Sequence, residues 1–272
     1  MKMLDPDLLL RAYAIGVFPM SDSRDAQDVY WVEPRRRAII PLDRFHLSKS
    51  LRKTLRSGAF QVTHDRAFQQ VIRLCAERDE TWINDEIEQS FVHLHALGHA
   101  HSIETWQEGE LVGGLYGVEL GGAFFGESMF SLRADASKVA LAWLVARLRA
   151  GDFSLLDCQF MTDHLRSLGA IEIDQKRYLS LLSSALGDAA APGLVVAAGA
   201  GVAARGRDAA PPDFGALDRL LPSSPAPGGD SAPPGCVIAQ LLGQTSEIGC
   251  STTLSEGDSR YSQPEKTRWN WP

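Results

Sequence analysis

Residues 102–131 read SIETWQEGELVGGLYGVELGGAFFGESMFS, and two glycine-bearing interruptions divide this run. Glu108-Gly109-Glu110 and Gly121-Gly122 separate three apolar segments, Ser102 to Gln107, Leu111 to Val118 and Ala123 to Ser131. Glycine reaches the positive φ that tight hairpin turns demand, so the spacing predicts a three-stranded antiparallel meander. Upstream, Phe60 to Thr63 reads as a strand, and Ala67 to Glu77 and Asp85 to Leu97 as helices, the second stopped by Gly98. Downstream, Asp135 is placed to N-cap a long amphipathic helix running through Val139, Leu141, Leu144, Val145 and Leu148 to Gly151. Leu155 to Gln159 then reads as a buried strand, Asp163 to Leu168 as a short helix ended by Gly169, Ile171 to Ile173 as a last strand and Gln175 to Leu186 as a last helix.

From Phe60 the order is therefore β-α-α-β-β-β-α-β-α-β, which resembles the succession of the GNAT acyltransferase superfamily. The expectation is an α+β fold: a GNAT-like domain over residues 60–186, with a mixed, mainly antiparallel sheet and covering helices. A small N-terminal domain over residues 1–59 would precede it, with one short helix on Leu8, Leu9, Ala12, Tyr13 and Ile15 stopped by Gly16, and another from Ser48 to Ser57 closed by Gly58.

After Leu186 the composition changes. Ala, Gly, Pro and Ser fill 33 of the 49 residues from Gly187 to Gly235, too little apolar surface to offset ordering, so a disordered linker is expected there. Residues 236–272, polar apart from Val237 to Leu242, are expected to be a disordered tail.

With 272 residues, 44% hydrophobic and 22% charged, the chain belongs to the globular class. A net charge of -7 excludes coating of nucleic acid by a global basic excess, so any basic site is local. No run reaches the ~18 apolar residues of a membrane helix, and a cytoplasmic protein is expected. Cys75, Cys158, Cys236 and Cys250 share no CxxC spacing and are read as reduced thiols.

The local basic site is legible. Arg35, Arg36, Arg37, Arg44, Lys49, Arg52, Lys53 and Arg56 are eight of the 27 Lys and Arg residues, against one acid, Asp43. Lys49, Arg52, Lys53 and Arg56 fan over one helix face, suited to phosphates without base readout, or else simply to solvent. Glu127 sits mid-strand among Phe124, Phe125, Met129 and Phe130, where an unpaired carboxylate would be costly. Asp157 and Gln159 alternate with Cys158 and point to one face, so Glu127, Asp157 and Gln159 would converge if their strands splay. His93, His95, His99 and His101 lack a ligand-like spacing and read as a packed helix-to-strand corner, with no metal expected, and Cys158 reads as a core thiol. The junction Ser131 to Lys138 carries no glycine where CoA-dependent GNAT enzymes wrap a pyrophosphate. No cofactor is expected, and the basic helix suggests an acyl donor carried on RNA.

Against these residues the chain resembles the leucyl/phenylalanyl-tRNA–protein transferase family. The resemblance rests on Gly16 to Pro19, Trp31 with Pro34 to Arg37, Thr81 to Ile83, Leu97 to Glu104, Leu111 to Val118, Gly126 to Ser131, Ala136 to Lys138, and Asp157 to Gln159 with Asp163 and His164. It implies transfer of Leu or Phe, with Met a further candidate, from Leu-tRNA or Phe-tRNA to the α-amino group of proteins beginning with Arg or Lys. The modified proteins would then be degraded under the N-end rule. It implies a hydrophobic pocket at Trp82, Leu115, Phe124 and Leu156, with Met129 beside it and Met20 toward the terminal adenosine. Asp157 and Gln159 would handle the proton and the carbonyl, Glu127 would hold the acceptor, and Lys49, Arg52, Lys53 and Arg56 would hold the acceptor stem. The family commonly has Trp where Met20 stands, and no counterpart of the segment from Gly187 onward is expected. A monomer away from membranes is expected. Another GNAT-like aminoacyltransferase, or a non-catalytic tRNA-binding protein, would share these features.

Overall fold

The computed structural model describes residues 3–78, 80–187, 210–221 and 234–243. Its centre is the expected meander: β5 (Ala100–Gln107), β6 (Glu110–Leu120) and β7 (Ala123–Ser131) run antiparallel, turning at Gly109 (φ 83°) and Gly121 (φ 56°). β4 (Gln61–His64) adds to β5 at one edge. On the other side, β8 (Leu155–Gln159) pairs with β7 in parallel, after a crossover through α5 (Ala136–Ala150). β3 (Arg36–Ile39) and β9 (Ile171–Asp174) complete a seven-stranded sheet of order β4-β5-β6-β7-β8-β3-β9.

β3 corrects the expected boundary at residue 59. It lies inside the main sheet, antiparallel to both β8 and β9, so the sheet takes a strand from the N-terminal segment. The reason is apolar: Ala38, Ile39 and Ile40 are all buried, and burying both faces of so short a segment needs neighbours on each side. Before β3, what stays outside this sheet is α1 (Pro6–Ala14) and the hairpin of β1 (Phe18–Met20) with β2 (Tyr30–Val32).

Two apolar layers flank the sheet. On one face α1, α3 (Phe68–Ala76), α4 (Asp85–Ala96) and α7 (Gln175–Leu186) bury Leu9, Tyr13, Phe68, Ile72, Phe91 and Tyr178. On the other, α5 and α2 (Lys49–Ser57) bury Leu51, Leu55, Leu141, Leu144 and Leu148. α2 starts on Ser48, whose hydroxyl accepts from Leu51 N–H (3.1 Å), and ends at Gly58 in the left-handed region (φ 68°). Asp135 departs from its expected role. It precedes α5 at φ 65° without a side-chain capping bond, and its carboxylate instead pairs with Lys138 (2.9 Å).

The C-terminal expectation is corrected in two places. Within the span read as linker, Phe214 and the helix α8 (Ala216–Leu220) pack on α5. Buried Arg147 donates to Phe214 O (2.7 Å) and to both carboxylate oxygens of Asp218 (2.8 and 2.7 Å). Phe214 stacks on His101 (4.2 Å) and on Phe124 (5.7 Å). Within the segment read as a tail, α9 (Pro234–Gly243) buries Ile238 and Leu242 against α5 and α2. Average composition hides a few well-spaced apolar residues that anchor these short pieces. The expectations for residues 188–209, 222–233 and 244–272 lie outside the described residues.

The histidine corner is packing. His95 stacks on Phe68 (4.3 Å), and His101 bonds Asp65 (2.7 Å) and approaches Glu119 (3.3 Å). Burial works against charging His101, but the two carboxylates outweigh it and raise its pKa to about 9.

Candidate active site

β7 and β8 pair only from Ala123↔Leu155 to Phe125↔Asp157 and then part, β7 staying with β6 and β8 with β3. A bulge sits where they part. Tyr116 pairs with Ser128 but Gly117 pairs with Gly126, leaving Glu127 as the extra residue. Such an insertion re-aims its side chain. Gly117 permits the bulge, since a Cβ there would lie 2.3 Å from Phe125 O. On β8 the regular alternation also ends: Gln159 has φ 59°, and its N–H bonds Asp157 Oδ1 (2.8 Å).

These two irregularities bring Glu127 and Gln159 together across the opening. Gln159 Nε2 donates to Glu127 Oε1 (2.9 Å), and Tyr13 Oη of α1 donates to the same oxygen (2.7 Å). Asp157 belongs to a second, adjoining cluster. Arg37 of β3 grips it with Nε to Oδ1 (2.9 Å) and Nη2 to Oδ2 (2.6 Å), and Tyr178 Oη of α7 donates to Oδ2 (2.9 Å). The remaining Arg37 nitrogen, Nη1, donates to Gly16 O (3.0 Å), and the guanidinium lies over the rings of Phe18 (4.7 Å) and Tyr178 (4.5 Å). Gly16 must be glycine for this approach: its φ is 82°, and a Cβ would sit 3.0 Å from the Tyr178 ring.

Glu127 and Asp157 are both 0% exposed, and Arg37 is 1% exposed, so their charges are settled by neighbours rather than by water. For Glu127, burial dominates over the bonds from Tyr13 and Gln159 and pushes the pKa up to about 8. Arg37 loses to burial but gains more from Asp157 and Tyr178, so its pKa is raised. Burial, followed by the neighbouring carboxylates, raises Tyr13 and Tyr178 well above the usual phenol value, which keeps both as donors. Asp157 thus offers no free oxygen. Both of its oxygens are taken by Arg37, Tyr178 and the Gln159 N–H.

A narrow cavity opens beside Glu127 between the splayed strands, lined by Leu115, Tyr116, Met129, Leu141, Leu156 and Cys158 among others. Leu115, Leu156 and Met129 thus share its lining. Phe124 does not line it. It sits where β7 and β8 are still paired and turns to the α5 face beneath Phe214. Trp82 is buried in the opposite core layer, beside β1, where Ser21 donates to its carbonyl from N (3.1 Å) and Oγ (2.9 Å). Half-buried Met20 packs on that same layer. Burial raises the Cys158 thiol, which suits a core role.

Lys49, Lys53 and Arg56 are on α2 with Arg52, which is half-buried beside the end of α9. A larger cleft of about 640 Å³ runs from Met129 past Ser131 to Lys138, with Arg78, Thr162 and His164 on its other wall. The β7–α5 junction that lacks glycines forms its floor.

Sequence reasoning misses Arg37, Tyr13, Tyr178 and Tyr116. Arg37 reads as part of the basic run, although Ala38, Ile39 and Ile40 follow it and foretell a buried strand. The tyrosines carry no local signal, because each meets the site only through tertiary packing.

The splayed, mixed sheet with its crossover helix puts the chain in the GNAT-like α+β class, a fold used by acyltransferases. Family models sharpen this. The model for leucyl/phenylalanyl-tRNA protein transferase matches residues 39–183, and that for the N-terminal domain of the same proteins matches residues 2–35. The chain is 61% identical over 252 residues to a leucyl/phenylalanyl-tRNA–protein transferase of Rhizorhabdus wittichii, covering 90% of this chain and all of that one. Its identity to the protein of that name from Novosphingobium aromaticivorans is 53% over 257 residues, covering 89% and 97%. The chain belongs to the leucyl/phenylalanyl-tRNA–protein transferase family and is an aminoacyltransferase. Coverage this long also corrects the expectation that the segment after Gly187 has no counterpart. The Zymomonas mobilis relative, 63% identical, aligns over only 189 residues, covering 68% of this chain and 70% of that one. Among solved structures, an L-PGS from Bacillus licheniformis aligns with a TM-score of 0.34 at 11% identity, over 64% of this chain and 55% of that one.

Proposed function

We propose that this enzyme moves Leu or Phe from its tRNA to the α-amino group of proteins that begin with Arg or Lys, and so marks them for N-end rule degradation. The reading is carried by the Gln159–Glu127 hydrogen bond, which spans the splayed strands beside a slot walled by Leu115, Met129 and Leu156. The slot has only about 20 Å³ of free volume, so an aminoacyl side chain enters it by displacing its walls, and a pocket shaped in this way disfavours branching at Cβ. Met129, unbranched and half-buried, is the wall that can adapt to either Leu or Phe.

The chemistry asks little of the protein, because the ester to the terminal ribose is already activated. The acceptor nitrogen forms a bond to the carbonyl carbon, the carbon–oxygen bond to the ribose breaks, and the proton lost by the amine ends on the departing ribose oxygen. With its Nε2 given to Glu127, Gln159 has its amide oxygen left to accept an N–H from the incoming amine and align its lone pair. Asp157, clamped by Arg37 and Tyr178, fixes the backbone of Gln159. Lys49, Arg52, Lys53 and Arg56 hold the acceptor stem through phosphates, and Met20 lies toward the terminal adenosine. We read the enzyme as a monomer acting in the cytoplasm, where charged tRNA is found. No helix among the described residues is long and apolar enough to cross a membrane.

The test is transfer of labelled leucine from Leu-tRNA to peptides beginning with Arg or Gly. Label on the Arg peptide alone is expected. Salt-sensitive tRNA binding without transfer would leave a tRNA-binding protein, and transfer to other amines would indicate a different acceptor.

A further inference from the structure

The basic helix α2 is poorly built to hold itself. Its nine residues, KSLRKTLRS, carry four cations and no acid. Isolated helices shorter than ~12–15 residues are marginal in water, and the cations at 49, 52, 53 and 56 repel one another at spacings of three and four. Its buried side chains are Leu51 and Leu55, so the helix depends on whatever covers that stripe. Part of the cover is α5 and part is α9, whose Ile238 and Leu242 join the same apolar layer. The contact with α9 is close enough to involve the two backbones. A Cβ on Gly235 would lie 1.9 Å from Leu55 O, so even alanine cannot fit there without parting the two helices.

The charges are complementary as well. α9, PGCVIAQLLG, has no ionised side chain, and at its far end a Cβ on Gly243 would lie 3.4 Å from Arg52 Nη1. The last turn of a helix carries partial negative charge in its carbonyls, so this end of α9 offsets one of the four crowded cations. It does so without an acid that would cancel their attraction for phosphate. Arg149 of α5 donates to Leu241 O (2.9 Å) and also to Leu42 O, which ties the end of α9 to the chain leading into α2. Lys49, Lys53 and Arg56 stay exposed on the side of α2 away from the leucines. We propose that α9 is a positioning element of the donor-binding surface: docked on α2, it holds these cations in the array that meets the phosphates of the acceptor stem. This rests on the assignment of α2 to the acceptor stem above. The C-terminal segment thereby contributes to tRNA affinity while touching neither the donor nor the reacting atoms.

The test compares Leu-tRNA with leucine esterified to adenosine alone, which keeps the reacting ester but has no acceptor stem. Transfer to an Arg peptide is measured for the full chain and for Gly235→Ala, Ile238→Ala and, as a control, Gln240→Ala on the exposed side of α9. In the first two, KM for Leu-tRNA is expected to rise at least about tenfold, the ratio for one charge-assisted bond to phosphate, with kcat unchanged. Transfer from the adenosine ester should stay at the wild-type level, and Gln240→Ala should behave as wild type with both donors. Equal losses with both donors would make α9 a support of the whole fold and overturn the proposal, as would an unchanged KM. Gly235→Ala is then combined with Lys49→Gln and Lys53→Gln. If α9 acts through these cations, removing them costs less tRNA affinity once α9 is displaced, whereas additive losses overturn the proposal. Should Ile238→Ala fold poorly by its urea midpoint, Gly235→Ala carries the comparison alone. Intact tRNA binding after Lys49→Gln and Lys53→Gln in the otherwise unchanged chain would sink the acceptor-stem assignment itself, an outcome distinct from any effect of α9.

Discussion

Replacing Arg37 with Met is the sharpest test of how the site is built. Arg37 and Asp157 are 1% and 0% exposed, and the guanidinium spends its bonds on both carboxylate oxygens and on Gly16 O. Methionine fills much of the same volume, so little of the loss would come from packing. What remains is a buried carboxylate with Tyr178 Oη and one backbone N–H for company. Breaking a buried pair from one side costs about 3–5 kcal/mol, a large share of the ~5–15 kcal/mol that holds a typical domain folded. Urea unfolding of Arg37→Met, Asp157→Asn and the double variant measures this directly. The double variant should be less destabilised than the sum of the singles by at least ~2 kcal/mol, because neutral Asn no longer strands a charge. Additive losses, or an Arg37→Met cost below ~1 kcal/mol, would refute the claim that this pair anchors the end of β8.

Glu127 sets a pH dependence. Its folded pKa of about 8 lies above the ordinary value of 4.5, so between these values the native state keeps a proton that the unfolded chain has lost. Stability contributed at this position therefore falls as pH rises through that window, and the urea midpoint of wild type should drop relative to Glu127→Gln between about pH 5 and pH 8; parallel midpoints would show that the carboxyl is not held protonated. Phe214→Ala should lower stability by up to ~3–5 kcal/mol, since the ring is buried between His101 and Phe124, and should speed proteolysis within residues 210–243. An unchanged midpoint would mean that the C-terminal segment is not docked through this ring. Substituting Lys49, Arg52, Lys53 and Arg56 with Gln should weaken tRNA binding and flatten its salt dependence, by roughly 0.9 in log–log slope for each phosphate no longer neutralised. An unaltered slope would place the acceptor stem elsewhere.

The meander and its flanking helices are legible because glycine turns, caps and apolar periods are local signals. β3 is only half legible, since it begins inside a run of arginines and its short apolar end, Ala38 to Ile40, gains meaning only once the two neighbouring strands are known. α8 and α9 escape for a similar reason, their anchors being scattered through a segment rich in Ala, Gly and Pro. At the site, Glu127 and Gln159 stand out by their unusual neighbours, but their meeting depends on a bulge and on a residue at positive φ, neither of which follows from alternation. Asp157 is equally visible, yet its task is not, because Arg37 and Tyr178 reach it from 120 and 21 residues away.

At the heart of the proposed reaction, the amide of Gln159, held across the open strands, orients the attacking amine. Asn tolerates the left-handed backbone at this position and keeps an amide while drawing it back by one methylene. Single-turnover transfer from Leu-tRNA to an Arg peptide by Gln159→Asn, at saturating substrate, therefore probes that role with the fold left in place. A fall of about 10²-fold or more in rate, with a urea midpoint close to wild type, is what this placement predicts. A rate within about twofold of wild type would contradict it.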